Sequence, residues 1–220
     1  NWRASARRPD QLFVNEYQQE RVADVAILLD CRTRAYPDAG RAELFDAAAS
    51  AAASLADAIL DNGNRVGFLA YGLSIDWLAP GFGRIQKHRL LTRIAKSQPG
   101  ESHVFARLEA IPERLFPPGS QVIVVTPLHA EDPPDIERLQ HYGYAVMVVS
   151  PNPVPFQIPA NLHGAGREAA RMMRLQRSVL LQRLRHTGMP VVDWDTSDSF
   201  EEAIARSIGA ITAAWRRRRR

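Results

Sequence analysis

Hydrophobic and polar positions follow two periods along this chain, and the switches between them mark its elements. Residues 22–30, VADVAILLD, form an apolar run interrupted at Asp24 and closed by Asp30. A run without polar alternation is the pattern of a strand covered on both faces, as in a parallel sheet. Residues 41–61 are alanine-rich, carry Leu44, Phe45, Leu55, Ile59 and Leu60, and stop at Asn62-Gly63. This predicts a helix with a glycine stop. Strands follow at 65–72 (RVGFLAYG) and 74–80 (SIDWLAP), and so short a connection makes the second an antiparallel neighbour of the first. Helices are predicted over about 84–97 and 102–115, separated by Pro99-Gly100. Strands at 120–128, 144–151 and 189–195 then alternate with helices at 133–142, 165–187 and 197–215. Pro133 and Pro134 open the first of these helices, where an amide needs no partner. Ser197 or Asp198 caps the last, with Glu201 and Glu202 in its first turn. A Pro-rich link at 151–159 is no longer than an ordinary crossover.

Strand–helix alternation of this kind, with right-handed crossovers, predicts an α/β fold: a three-layer αβα sandwich around one mostly parallel, six-stranded sheet with an antiparallel edge strand. Its 220 residues can bury a substantial core as one domain. Ligands of open α/β sheets bind beyond the carboxyl ends of the strands. That places the candidate binding edge in loops 31–40, 99–103 and 127–133, with Asp30, Arg32, Arg34, Ser102, Thr126, His129 and Glu131 as its residues.

Several enzyme classes lose support for lack of a motif. There is no phosphate-binding Gly-x-x-x-x-Gly-Lys, no glycine fingerprint after the first strand, where the sequence reads DCRTRAYPDAG, and no Gly-x-Ser-x-Gly elbow. The six histidines (88, 103, 129, 141, 163 and 186) neither pair at helical spacing nor neighbour the single cysteine. His129 with Glu131 and Asp132 is the densest polar group at a strand end. It reads as a solvated loop with helix-opening acids, and a hydrolytic site using His129, Glu131, Asp132 and Asp30 is the alternative. Cys31 reads as an inert core thiol. Asp193 and Asp195, on either side of Trp194, read as capping or solvent-exposed. No catalytic residue, cofactor or metal is expected.

Charge adds one further alternative. The net +4 includes the five terminal arginines, Arg216–Arg220; without them 23 basic residues face 24 acidic ones, and without Arg3, Arg7 and Arg8 as well the count is 20 against 24. A nucleic-acid-binding fold carries its positive charge on a folded face. Here it lies at the two ends, so no specific nucleic-acid partner is expected. Residues 216–220 are read as a basic tail; nucleic-acid or membrane-surface binding through it is the alternative. No apolar run reaches the ~20 residues of a bilayer span. The chain starts at Asn1 without a methionine, and is expected to be part of a longer protein.

The segment NWRASAR (1–7), then LFVNEYQQER (12–21) and a strand ending at Asp30, resembles the family known as domain of unknown function 58. GNRVGFLAYG (63–72), RLFPPGSQVIVVTPL (114–128) and GYAVMVVSP (143–151) resemble it too. The resemblance implies a von Willebrand factor A-like fold over 22–215 with strand order 3-2-1-4-5-6. Residues 1–21 would be an extended N-terminal segment ending an upstream region, with 11–19 running along the domain. It further implies a membrane anchor outside this chain, a place on the cytoplasmic face, and a MoxR-type AAA+ ATPase as partner in assembling or maturing other proteins. A-type folds often bind Mg²⁺ through Asp-x-Ser-x-Ser after the first strand, a middle-loop Thr, and an Asp after the fourth strand. This sequence keeps Asp30, has Arg32 and Arg34 in place of the serines, Ser102 for the Thr, and Thr126 or Pro127 near the last Asp. The expected consequence is a dead metal site, with Asp30 paired to an arginine, in a non-catalytic protein-interaction domain.

Overall fold

The structure is a computed structural model that describes residues 22–102, 108, 115–158 and 164–207. The predicted helix at 102–115 in all but Ser102, Leu108 and Leu115, the extended segment at 11–19, the end of the last helix and the arginine tail lie outside the described residues.

Strands β1 (Asp24–Asp30), β2 (Arg65–Tyr71), β3 (Asp76–Gly81), β4 (Gln121–Val125), β5 (Ala145–Pro151) and β6 (Val191–Trp194) form one sheet in the order β3-β2-β1-β4-β5-β6. Every pairing is parallel except β2 with β3. The helices are α1 (Arg41–Asp61), α2 (Gly83–Lys96), α3 (Asp132–His141), a short α4 (Val154–Gln157), α5 (Ala165–His186) and α6, seen over 200–207.

Two core layers sit on the two faces of the sheet because successive side chains of a strand point to opposite sides. Ile27 and Leu29 of β1 pack with Leu44 and Ala48 of α1 and Ile94 of α2 on one face. Ala26 and Leu28 pack with Ile136 of α3 and Leu181 and Leu184 of α5 on the other. The continuous apolar runs of β1, β4 and β5 follow from this double coverage.

Two sequence expectations need correction. The strand predicted to 128 stops at Val125. Thr126 still donates its amide to Val149 O at 3.1 Å, but Pro127 has no amide to continue the ladder, and Leu128 turns the chain away at φ 70°. The link at 151–159 holds α4, with Pro155 in its first turn. That helix covers the start of α1, where a Cβ on Gly40 would run into the Phe156 ring.

Candidate functional site

β1 and β4 are adjacent, and the chain leaves them toward opposite edges of the sheet. The carboxyl ends of these two strands therefore form the switch point where α/β sheets open a crevice. Here the crevice is closed by a side chain. Arg32, two residues past the end of β1, is 2% exposed, and its guanidinium lies between two carboxylates. Nε and Nη2 donate to Asp30 Oδ1 at 2.9 Å and Oδ2 at 2.6 Å. Nη1 and Nη2 donate to Asp132 Oδ1 and Oδ2, both at 2.8 Å. The planar fork of arginine suits two such bidentate contacts, whereas a lysine would offer a point charge.

Two buried carboxylates against one cation leave an excess of negative charge, and neutral donors offset it. The Arg32 amide donates to Asp30 Oδ1 at 2.9 Å, Thr126 Oγ1 to Asp30 Oδ2 at 2.7 Å, and the His129 amide to Asp132 Oδ2 at 2.7 Å. Thr126 Oγ1 in turn accepts the Leu128 amide at 3.1 Å, which fixes the turn that ends β4. Tyr36 donates its hydroxyl to the Asp30 carbonyl at 2.6 Å. The Tyr71 ring lies 5.3 Å from the guanidinium carbon, within cation–π range. Burial by itself would lower the pKa of Arg32; Tyr71, Asp30 and Asp132 outweigh it, and the net shift is upward. The guanidinium stays charged.

The network ties three chain segments together. Asp30 and Arg32 come from the β1 exit, Thr126 from the β4 exit, and Asp132 from the first turn of α3. A fourth joins through the backbone. Gly100 N donates to Cys31 O at 2.8 Å, and Thr33 N to Gly100 O at 3.0 Å. This holds the loop that carries Ser102 against the end of β1.

Of the predicted edge residues, Asp30, Arg32 and Thr126 thus meet in one buried cluster. His129 contributes its amide, while its ring nitrogen Nδ1 is buried without a hydrogen-bond partner among the described residues. Arg34 and Glu131 stand on the rim, 3.6 Å apart and 34% and 59% exposed; such a pair is worth little to folding. The reading of 129–132 as a solvated loop fails at Asp132, which is 2% exposed. Asp132, Tyr36 and Tyr71 were not among the predicted edge residues. A carboxylate immediately before two helix-opening prolines was the available signal for Asp132, since such an acid is held in one place; the tyrosines offered none. A dication does not fit this arrangement, because the two carboxylates it would bridge already hold the Arg32 guanidinium.

The sequence over residues 1–161 matches the model of the family described as protein of unknown function DUF58. The chain belongs to that family. An aerotolerance-related membrane protein from Bacteroides fragilis NCTC 9343, carrying multiple mutations to serines, aligns with this DUF58 chain at a TM-score of 0.53 and 16% identity, covering 85% of this chain and 98% of that one. BatB, a conserved hypothetical protein from Bacteroides thetaiotaomicron, aligns at 0.50 and 18% identity, covering 88% and 99%. Proximal thread matrix protein 1 from the mussel byssus aligns at 0.41 and 16% identity over 59% of this chain, which spans 37% of that protein. No curated protein sequence matches. The strand order is the one that the resemblance implied, and the likeness to these two bacterial structures shows a shared fold.

Cys31 of the DUF58 chain sits beside the cluster but is chemically quiet. Burial, and then the charge of Asp30, push its thiol up to about 12 from 9.0. Tyr36 and Tyr71 are also raised, burial being the main cause. All three keep their protons in the fold while the unfolded chain would lose them. For the thiol the stability is intact below about pH 9 and falls as pH rises toward 12; for the two tyrosines the loss begins only above about pH 10. Thermal unfolding is therefore expected to shift to lower temperature above about pH 9, with a shallower slope in Cys31→Ala; an unchanged slope in that variant would remove the thiol from this account.

A second buried arginine stands nearby. Arg177 of α5 donates to Pro127 O and Ser150 O, both at 3.1 Å, to Ser150 Oγ at 3.2 Å, and to Asp193 Oδ1 at 2.6 Å. It joins the β4 exit to β5 and β6, on the wall of an open cavity of about 650 Å³ that Arg174, Arg185 and Asn152 also line. Asp193 faces solvent as expected, 39% exposed, and is at the same time the ion-pair partner of Arg177. Asp195 accepts the Ser197 amide at 3.1 Å in a turn ahead of α6, and Ser199 caps that helix in place of the predicted Ser197 or Asp198, its Oγ accepting the Glu202 amide at 3.2 Å.

Proposed function

We propose that this domain is a non-catalytic, metal-independent protein-interaction module. Its docking surface is the carboxyl edge of the sheet, with Arg34, Glu131, His129 and Ser102 around the closed Arg32 cluster. The observation that carries the reading is the double bidentate clasp of Arg32 by Asp30 and Asp132. It takes both carboxylates out of acid–base chemistry and makes the edge a rigid platform, and rigid scaffolds with exposed rim charges suit recognition. The partner we propose is a MoxR-type AAA+ ATPase. The working site would be the cytoplasmic face of a membrane, to which a segment beyond this chain would anchor the domain. The likeness to an aerotolerance-related membrane protein is in keeping with that setting.

The test is direct binding of the full chain to a purified MoxR-type ATPase by interferometry, without nucleotide and with EDTA or Mg²⁺. Equal affinity in both buffers is expected. Reversing the rim charges in Arg34→Glu and Glu131→Arg should weaken binding about tenfold. Binding that needs the dication, or that ignores both reversals, contradicts the proposal.

A further inference from the structure

The side of α5 that faces the ends of β5 and β6 carries a row of arginines. Arg174, Arg177, Leu181 and Arg185 are spaced i, i+3, i+7 and i+11, which puts them on one side of the helix. All four line the cavity of about 650 Å³, a size ordinary for a small-molecule site. Asn152, just past β5, and Asp193 and Asp195, at the end of β6, line it too. Val154 and Pro155 of α4, with Ile158 just after it, add an apolar surface.

Charge does not balance in this cavity. Three guanidiniums meet two carboxylates, Asp193 and Asp195, which leaves one positive charge unmatched. Arg177 is the buried member, 8% exposed, and its ionic partner Asp193 is itself partly open to water. Burial lowers the pKa of Arg177, Asp193 offsets part of that, and the charge of Arg185 adds to the lowering. Arg32 is likewise buried, yet there Tyr71, Asp30 and Asp132 turn the net shift upward. Donors are also left over. Nη1 of Arg177 gives one N–H to Pro127 O, and no described residue accepts its other one. Arg174 engages no group among the described residues.

A monoanion restores the balance. The arginine fork suits carboxylate and phosphate alike, but a phosphate group brings about −1.5 to −2 charges at pH 7. That exceeds the single unmatched charge and adds repulsion from Asp193 and Asp195. A carboxylate matches it, and Val154, Pro155, Ile158 and Leu181 offer an apolar body a surface on which to leave water.

We infer that this cavity binds a monocarboxylate with an apolar body, its carboxylate held by Arg174, Arg177 and Arg185 and its body lying on the 154–158 segment. A free carboxylic acid and the carboxyl end of a peptide share this chemistry. The site stands at β5 and β6, apart from the Arg32 cluster, and does not rest on the role proposed for the carboxyl edge.

The experiment is a ¹H–¹⁵N NMR titration of the labelled full chain with hexanoate; acetate, hexanol and inorganic phosphate are the comparisons. Saturable shifts of the amides of Asn152 and of residues 174–185 are expected, with a Kd of about 5 mM or tighter. Acetate lacks the body and hexanol the charge, so each should bind about tenfold more weakly or worse. The double variant Arg174→Gln/Arg185→Gln should weaken hexanoate about tenfold. Both side chains are exposed, and an unchanged spectrum away from the cavity verifies that the variant folds. Acetyl-Gly-Gly-Leu, with a free or an amidated carboxyl end, separates the sources. Tighter binding of the free peptide than of hexanoate assigns a chain end, and the reverse assigns a free acid; either upholds the site. No saturation, or shifts confined to other residues, overturns the inference. So does phosphate binding more tightly than hexanoate, hexanol or the amidated peptide binding as well as its acid, or binding that the double variant leaves intact.

Discussion

Arg32→Leu is expected to lower folding stability by about 3–5 kcal/mol, the range for removing one partner of a buried ionic cluster. Leucine fills part of the volume but leaves Asp30 and Asp132, 0% and 2% exposed, facing each other without a cation. Arg32→Lys should recover only a fraction, because an ammonium cannot serve both carboxylates through two forks. A double variant, Arg32→Leu/Asp132→Leu, should be more stable than Arg32→Leu alone, since it removes the uncompensated carboxylate with its cation. Urea unfolding of the three variants measures this. A loss below about 1 kcal/mol in Arg32→Leu would place the guanidinium at the surface.

Gly72→Ala carries the second large effect. Gly72 follows β2 at φ 140°. A Cβ there would lie 2.6 Å from the Cys31 carbonyl carbon and 2.7 Å from the Arg32 amide nitrogen. These are backbone atoms of the segment that aims Arg32, so no side chain can move aside. Strain at a glycine-only backbone conformation and overpacking each cost about 1–3 kcal/mol, and the loop that bears Arg32 must shift. Gly63→Ala is the control: its φ is 77°, but nothing lies within 4 Å of the added carbon. A loss of about 1 kcal/mol is expected there, from the backbone term alone. Equal melting temperatures for the two variants would show that the contact with Cys31 and Arg32 is not tight.

The sheet was legible because its strands are covered on both faces. Short continuous apolar runs rich in β-branched residues, such as VAILL in β1 and VIVV in β4, suit a doubly covered strand better than a helix or a one-sided sheet. The seven-residue β2 leads so quickly into β3 that only an antiparallel turn fits. Boundaries were less legible where side chains replace the ladder, as at Thr126, whose hydroxyl oxygen accepts the Leu128 amide in place of a strand carbonyl. The site was half legible. Asp30 and Arg32 are two residues apart, and an acid buried at a strand end needs a cation. Asp132 lies 100 residues from Arg32, and no local period reports a pairing at that distance. Arg177 was missed for the same reason: its partners, Pro127, Ser150 and Asp193, belong to three different strand ends.

The central claim is that a protein side chain holds the place that a dication would take at the carboxyl edge of this sheet. A bound Mg²⁺ or Mn²⁺ recovers its hydration energy only through several oxygen ligands close around it. Here the converging oxygens of Asp30, Asp132 and Thr126 already accept or surround the Arg32 guanidinium, and the guanidinium cannot give up its charge. Isothermal titration of the full chain with Mg²⁺ and then Mn²⁺ tests this most directly. The account predicts no saturable heat up to millimolar concentration with either ion. Saturable binding at millimolar or tighter affinity that disappears in Asp30→Asn would contradict it.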